Sequence, residues 1–213
     1  MDARAFIEAN TTILPVPALP DIRLHQANEL TPLWQATEDN LEQIGIAPPF
    51  WAFPWVGGQA LALHVRENPE LVRGKRVLDM ASGSGLVGIA ALKAGAASVL
   101  AADIDPMANA SAEMNALLNG VTVETTTENL LRAPLPSGIE VILAGDMFYE
   151  LALAADAIAW LKVAAGNGIT VIAADPGRKY FRDAGMELLA LHDIPTTLEI
   201  EDKVIANVGV WRV

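Results

Sequence analysis

The chain has 213 residues, enough for one domain with a substantial core, and 52% of them are hydrophobic, yet its apolar stretches are broken well before the ~18 residues that cross a bilayer. It contains no Cys, which excludes disulfides, thiolate nucleophiles and Cys-ligated zinc, and its three His residues (His25, His64, His192) lie too far apart for metal-ligand spacing, so no metal is expected. The net charge of -12 opposes nucleic-acid binding and favours a basic partner, while the acidic start without an apolar block predicts no secretory signal and a cytoplasmic location.

Seven of the 13 prolines fall within residues 1–55. At that density long helices and central strands are disfavoured. The segment reads as an extended lead-in with one short helix over 33–44, packed on a catalytic core formed by 56–213. A helical pattern follows over 57–68. Thereafter short β-branched runs at 75–80, 98–102, 121–126, 140–144 and 169–174 alternate with helical stretches at 85–93, 107–119, 151–165 and 178–185. Strand and helix in alternation predict a doubly wound α/β fold around a mostly parallel sheet. The runs at 187–193 and 203–213 have no helix between them and predict an antiparallel hairpin at the sheet edge, giving seven strands in all.

The strongest local signal is VLDMASGSG at 77–85, a buried strand that ends in an acid and turns through glycines into a helix. Gly83 and Gly85 let backbone N–H groups approach a ligand. About twenty residues on, the second strand ends at Asp103 and Asp105, where a carboxylate can accept both hydroxyls of a ribose. Together these predict an adenosine-containing cofactor. Gly83, Gly85 and Gly88 also spell the dinucleotide fingerprint. Asp79 decides between the two: a carboxylate at the strand end repels a diphosphate, whereas it stabilises the ammonium and sulfonium of S-adenosylmethionine. Asp105, followed by Pro106, also fits a helix N-cap.

The motifs DMASGSG at 79–85, ADIDP at 102–106 and LAGDMFYE at 143–150 together resemble the seven-β-strand (class I) methyltransferases, and Asp146-Met147-Phe148-Tyr149 resembles the motif of their lysine-specific branch. PFWAFPWVGGQAL at 49–61 and DPGR at 175–178 resemble the bacterial relatives of the electron-transfer flavoprotein β-subunit lysine methyltransferases, a group also called nicotinamide N-methyltransferase-like. The similarity runs from about Pro17 to Arg212, with one departure at Ala81, where many relatives carry Gly. It implies a Rossmann-like methyltransferase fold, S-adenosylmethionine as methyl donor and a protein lysine as acceptor, with the flavoprotein β-subunit as partner.

The resemblance also implies site residues. Trp55, Gly57, Asp79, Ala81, Gly83, Gly85, Asp103, Asp105, Glu128, Asn129 and Asp146 are assigned to the cofactor. Asp146 and Tyr149 are the catalytic candidates: Asp146 holds and orients the amine, and Tyr149 with Phe148 walls its channel. Trp51, Phe148, Glu150 and Arg178 are candidates for acceptor binding. Each has a structural counterpart: an N-cap for Asp146, core packing for Phe148, a packing anchor for the tryptophans, an internal salt bridge for Arg178. A small-molecule N-methyltransferase and an NAD-binding or non-catalytic adenosine-binding protein remain alternative functions.

Overall fold

The computed structural model describes residues 2–31, 33, 48–183 and 185–213. The helix expected over 33–44 lies outside the described residues. The lead-in is more regular than its prolines suggest. A helix α1 (Ala3–Asn10), whose N-cap Asp2 accepts from the amides of Arg4 and Ala5, precedes a hairpin of β1 (Thr12–Val16) and β2 (Leu19–Gln26). Pro15 is tolerated because both strands of a two-stranded sheet are edges, with no central ladder to break. The reading of an extended lead-in is corrected accordingly.

After a turn of 3-10 helix at Phe50–Ala52, the chain forms α2 (Val56–Glu67), β3 (Arg76–Met80), α3 (Leu86–Lys93), β4 (Ser98–Ala102), α4 (Pro106–Leu118), β5 (Glu124–Thr126), β6 (Val141–Gly145), α5 (Leu151–Gly166) and β7 (Thr170–Asp175). It closes with β8 (Glu187–Pro195), a short α6 (Leu198–Glu201) and β9 (Ile205–Arg212). The seven-stranded sheet runs β5-β4-β3-β6-β7-β9-β8, with β9 antiparallel to both β7 and β8 and the other neighbours parallel. This is the predicted Rossmann-like methyltransferase architecture.

Successive strand residues face opposite sides, and both sides are covered. Val77, Leu143 and Ile172 join Leu61 and Val65 of α2 and Ala91 of α3 in one core layer, whereas Leu78, Ile142 and Val171 pack with Ala157 and Leu161 of α5 in the other. The hairpin seats Val16, Leu19, Ile22 and Leu24 against Leu86, Ile89 and Ala116. Asn115 of α4 and Asn119, which caps its C-terminus, accept from the amides of His25 and Arg23, so the lead-in is also bonded to the core by its backbone.

Two predicted elements differ. The strand expected over 121–126 shrinks to Glu124–Thr126, because Val121 still donates its N–H to Ala116 while Gly120, at φ 73°, closes the end of α4. The helix expected over 178–185 is absent among the described residues, where turn and coil stand instead. There the Asp175 carboxylate accepts from the amides of Gly177 and Arg178 and holds the chain in a turn, and Phe181 leaves it to stack between Phe148 and Trp211.

Strand order turns back between β3 and β6, and the loops at the carboxyl ends of these strands flank the resulting crevice. The tightest of them depends on Gly85, which has φ 76° and whose added Cβ would lie 2.8 Å from Ala112 Cβ. Gly85→Ala is expected to cost at least about 2 kcal/mol, combining left-handed strain with overpacking. Gly74→Ala, at φ 72° with nothing within 4 Å, should carry only the strain, about 1 kcal/mol. Urea unfolding midpoints of the two variants check the difference.

Candidate active site

The crevice is floored by the ends of β3, β4, β6 and β7. At the tip of β3, the Asp79 carboxylate is buried and its Oδ2 accepts from Gly88 N at 2.8 Å, tying the strand to the first turn of α3. Burial pushes this acid up to about 8; the Gly88 amide opposes that and Asp103 adds to it. The loop beyond it carries Ala81, exposed and at φ 54°, where a Cβ costs about 1–2 kcal/mol. Gly83, at φ 49°, donates its N–H to Asp103 Oδ2 at 2.9 Å. The other oxygen of Asp103 accepts from Asp105 N. Burial raises Asp103 as well, although both backbone donors lower it.

The fit of these residues to a cationic adenosine cofactor is good. Asp103 keeps lone pairs beyond the two it uses, and Ser82 Oγ and Asn109 Oδ1 are buried without a protein partner beside it, although the N–H groups of Gly83 and Gly85 are themselves spent on Asp103 and Ser82. Among the described residues no basic side chain neutralises Asp79 or Asp103. A positively charged ligand supplies what the fold leaves out.

Several predicted positions have structural work. Asp105 caps α4 by accepting from Met107 N at 2.8 Å. Asn129 spends its side-chain oxygen on Leu131 N, and both it and Glu128 are exposed beyond β5. Glu150 is exposed at the start of α5. Phe148 is wholly buried and packs on Phe181 at 5.0 Å between ring centroids, so it belongs to the core and has no surface for an acceptor, a correction to its place as a channel wall. Trp51 is likewise buried, with Ile7, Ala108 and Met114, and its Cα lies 3.8 Å from where a Gly83 Cβ would stand. Its place as an acceptor-binding side chain is corrected to that of a packing anchor.

Asp146 sits just past β6 with φ 55°, and its side chain is 11% exposed. Its Oδ2 accepts from Gly58 N at 2.6 Å, at the N-terminus of α2, and its Oδ1 accepts from Arg178 Nη2 at 3.2 Å. The approach is close because position 57 is glycine: a Cβ there would fall 2.6 Å from Asp146 Oδ2. Burial pushes Asp146 up to about 6, against the pull of Arg178 and the Gly58 amide. Arg178 also donates from the same Nη2 to Glu201 Oε1 at 2.8 Å, and its guanidinium lies 6.0 Å from the centre of the Trp55 ring.

Beside this pair stands an aromatic group open to solvent. Tyr149 and Phe50, each 49% exposed, have ring centroids 5.6 Å apart, and Phe50 meets Trp55 at 6.1 Å. Trp55 is fixed by its indole N–H, which donates to Phe50 O at 2.8 Å. Phe50 and Glu201 were missing from the sequence reading. Phe50 lies in the quoted aromatic block and was legible there; Glu201 lies in a polar connection with no local signal.

Residues 60–170 match the family described as ribosomal protein L11 methyltransferase (PrmA). The chain is 36% identical to the electron transfer flavoprotein beta subunit lysine methyltransferase of Danio rerio, over 99% of this chain and 83% of that protein. The chain belongs to the electron transfer flavoprotein β-subunit lysine methyltransferase family. It is a class I S-adenosylmethionine-dependent methyltransferase, within a wider group of protein methyltransferases that includes the L11 enzymes. Solved structures agree on the fold: the ribosomal protein L11 methylase of Lactobacillus delbrueckii subsp. bulgaricus superposes with a TM-score of 0.51 at 22% identity, covering 74% of this chain and 77% of that one. The magnesium protoporphyrin IX methyltransferase of Synechocystis, solved with bound S-adenosylmethionine, gives 0.52 at 14% identity, covering 73% and 77%. When bound, S-adenosylmethionine would supply a methyl group carried on a sulfonium.

Proposed function

We propose that this methyltransferase modifies a lysine amine of a protein acceptor, the electron-transfer flavoprotein β-subunit. The observation that carries the reading is the group of exposed rings, Tyr149 and Phe50 with Trp55, that is linked to Asp146 through Arg178, whose guanidinium lies 6.0 Å from the Trp55 ring centre and whose Nη2 is 3.2 Å from Asp146 Oδ1. Such a group suits a cation on a long aliphatic stem: rings attract the charge and line the stem, and the carboxylate fixes the head. Near full-length similarity to enzymes named for that flavoprotein subunit supports the choice of partner.

Free lysine is almost wholly protonated at neutral pH, and a carboxylate raises its pKa further. Asp146 therefore captures and orients the ammonium; the proton leaves to water, the nitrogen lone pair forms the N–C bond and the S–C bond breaks. Positioning and exclusion of water supply the rest of the rate. Incubation with the purified β-subunit, a cell extract and labelled S-adenosylmethionine tests this, with the site read by peptide mass spectrometry. Label on lysine of the β-subunit is expected. Label confined to small molecules would move the assignment to a small-molecule N-methyltransferase.

A further inference from the structure

Glu201 sits on α6 between β8 and β9 with its side chain 6% exposed, and has Arg178 as its ion-pair partner. One nitrogen of Arg178 serves two acids, and the shares are unequal: 2.8 Å to Glu201 and 3.2 Å to Asp146. The guanidinium is thus held nearer the acid outside the crevice than the acid inside it. We propose that Glu201 is a positioning residue that draws Arg178 off Asp146, leaving the Asp146 carboxylate loosely paired and open to exchange with the acceptor ammonium. The part concerning the ammonium rests on the function proposed above.

Among the described residues the charged groups around Asp146 are few. Arg178 comes from the turn after β7, Asp175 from the end of β7, and α2 contributes the Gly58 amide of its N-terminus. Asp175 is tied to the amides of Gly177 and Arg178, so it fixes where the arginine begins and leaves its far end to be shared. A buried guanidinium that loses one of two carboxylates turns to the other. Without the Glu201 charge, Arg178 closes on Asp146, holds it ionised to lower pH, and competes better against an incoming amine.

The experiment follows the Asp146 carboxyl carbon by 13C NMR titration in the cofactor-free protein, a measurement that needs no acceptor. Glu201→Gln is expected to move the Asp146 midpoint down by about one pH unit. In turnover it is expected to raise KM for the acceptor about tenfold while kcat and S-adenosylmethionine affinity change less than about threefold. Where Glu201→Gln folds poorly, the double variant Arg178→Gln/Glu201→Gln removes both members of the pair, leaves Asp146 with the Gly58 amide and without a cation, and is expected to move the midpoint up. A midpoint unmoved in either variant overturns the inference, as does a moved midpoint with unchanged acceptor KM. If the midpoint moves as expected but no protein accepts label, the inference about Asp146 and Arg178 stands and the lysine reading falls.

Discussion

Asp146→Asn is expected to lower methyl transfer by about a thousandfold while S-adenosylmethionine still binds in calorimetry. Loss of one preorganised hydrogen-bonding group at a reacting centre costs about 10²–10³ in rate. Asn is the cleaner variant for two reasons. Its oxygen can still accept from Gly58 N, and Asn tolerates the left-handed backbone at φ 55° that would strain Ala by about 1–2 kcal/mol. Arg178 keeps Glu201 as partner, so the substitution does not strand a buried cation. Circular dichroism and melting temperature should stay near those of the parent. Full activity in Asp146→Asn would leave the residue as no more than the N-terminal cap of α2.

The second large effect concerns Asp79 and depends on pH. With its carboxyl pushed up to about 8 in the cofactor-free protein, it is mostly protonated at neutrality, and binding a cationic donor draws the proton off. Affinity therefore rises as pH rises through about 8. A charge-assisted contact is worth up to about 3 kcal/mol, so Asp79→Asn should weaken S-adenosylmethionine binding about a hundredfold at pH 8.5. At pH 6.5, where only about 3% of the parent is ionised, the gap should narrow to severalfold. A ratio that stays flat across this range would remove Asp79 from donor recognition. Stability has the opposite sign. Between the ordinary 3.8 and about 8 the folded chain binds the extra proton, so without cofactor it loses stability as pH rises, and Asn should be the more stable variant at pH 8.5.

The sequence was most legible where local and global demands coincide. VLDMASGSG at 77–85 carries a buried strand, a left-handed turn and a helix start in nine residues, and each is where it was expected. The alternation of apolar runs located the strands of the parallel sheet, because a strand covered on both faces is apolar throughout and cannot be confused with a surface turn. The lead-in was misread for the converse reason: the prolines argue against a central strand, and nothing local says that a two-stranded edge hairpin has α4 to pack on.

Composition and local pattern by themselves pointed to a doubly wound α/β fold with a cationic adenosine cofactor at the end of its first sheet strand, and the resemblance carried by the motifs added the methyltransferase family. Tertiary structure alone decided which side chains face that site. Phe148 and Tyr149 are neighbours in sequence, yet one is sealed in the core and the other stands half in solvent. Arg178 meets Asp146 and Glu201 across 32 and 23 residues of chain. Local pattern records periodicity and turn chemistry, which act over a few residues; the sharing of one guanidinium between two distant acids arises only when the sheet order brings the end of β6, the turn after β7 and the β8–β9 connection together.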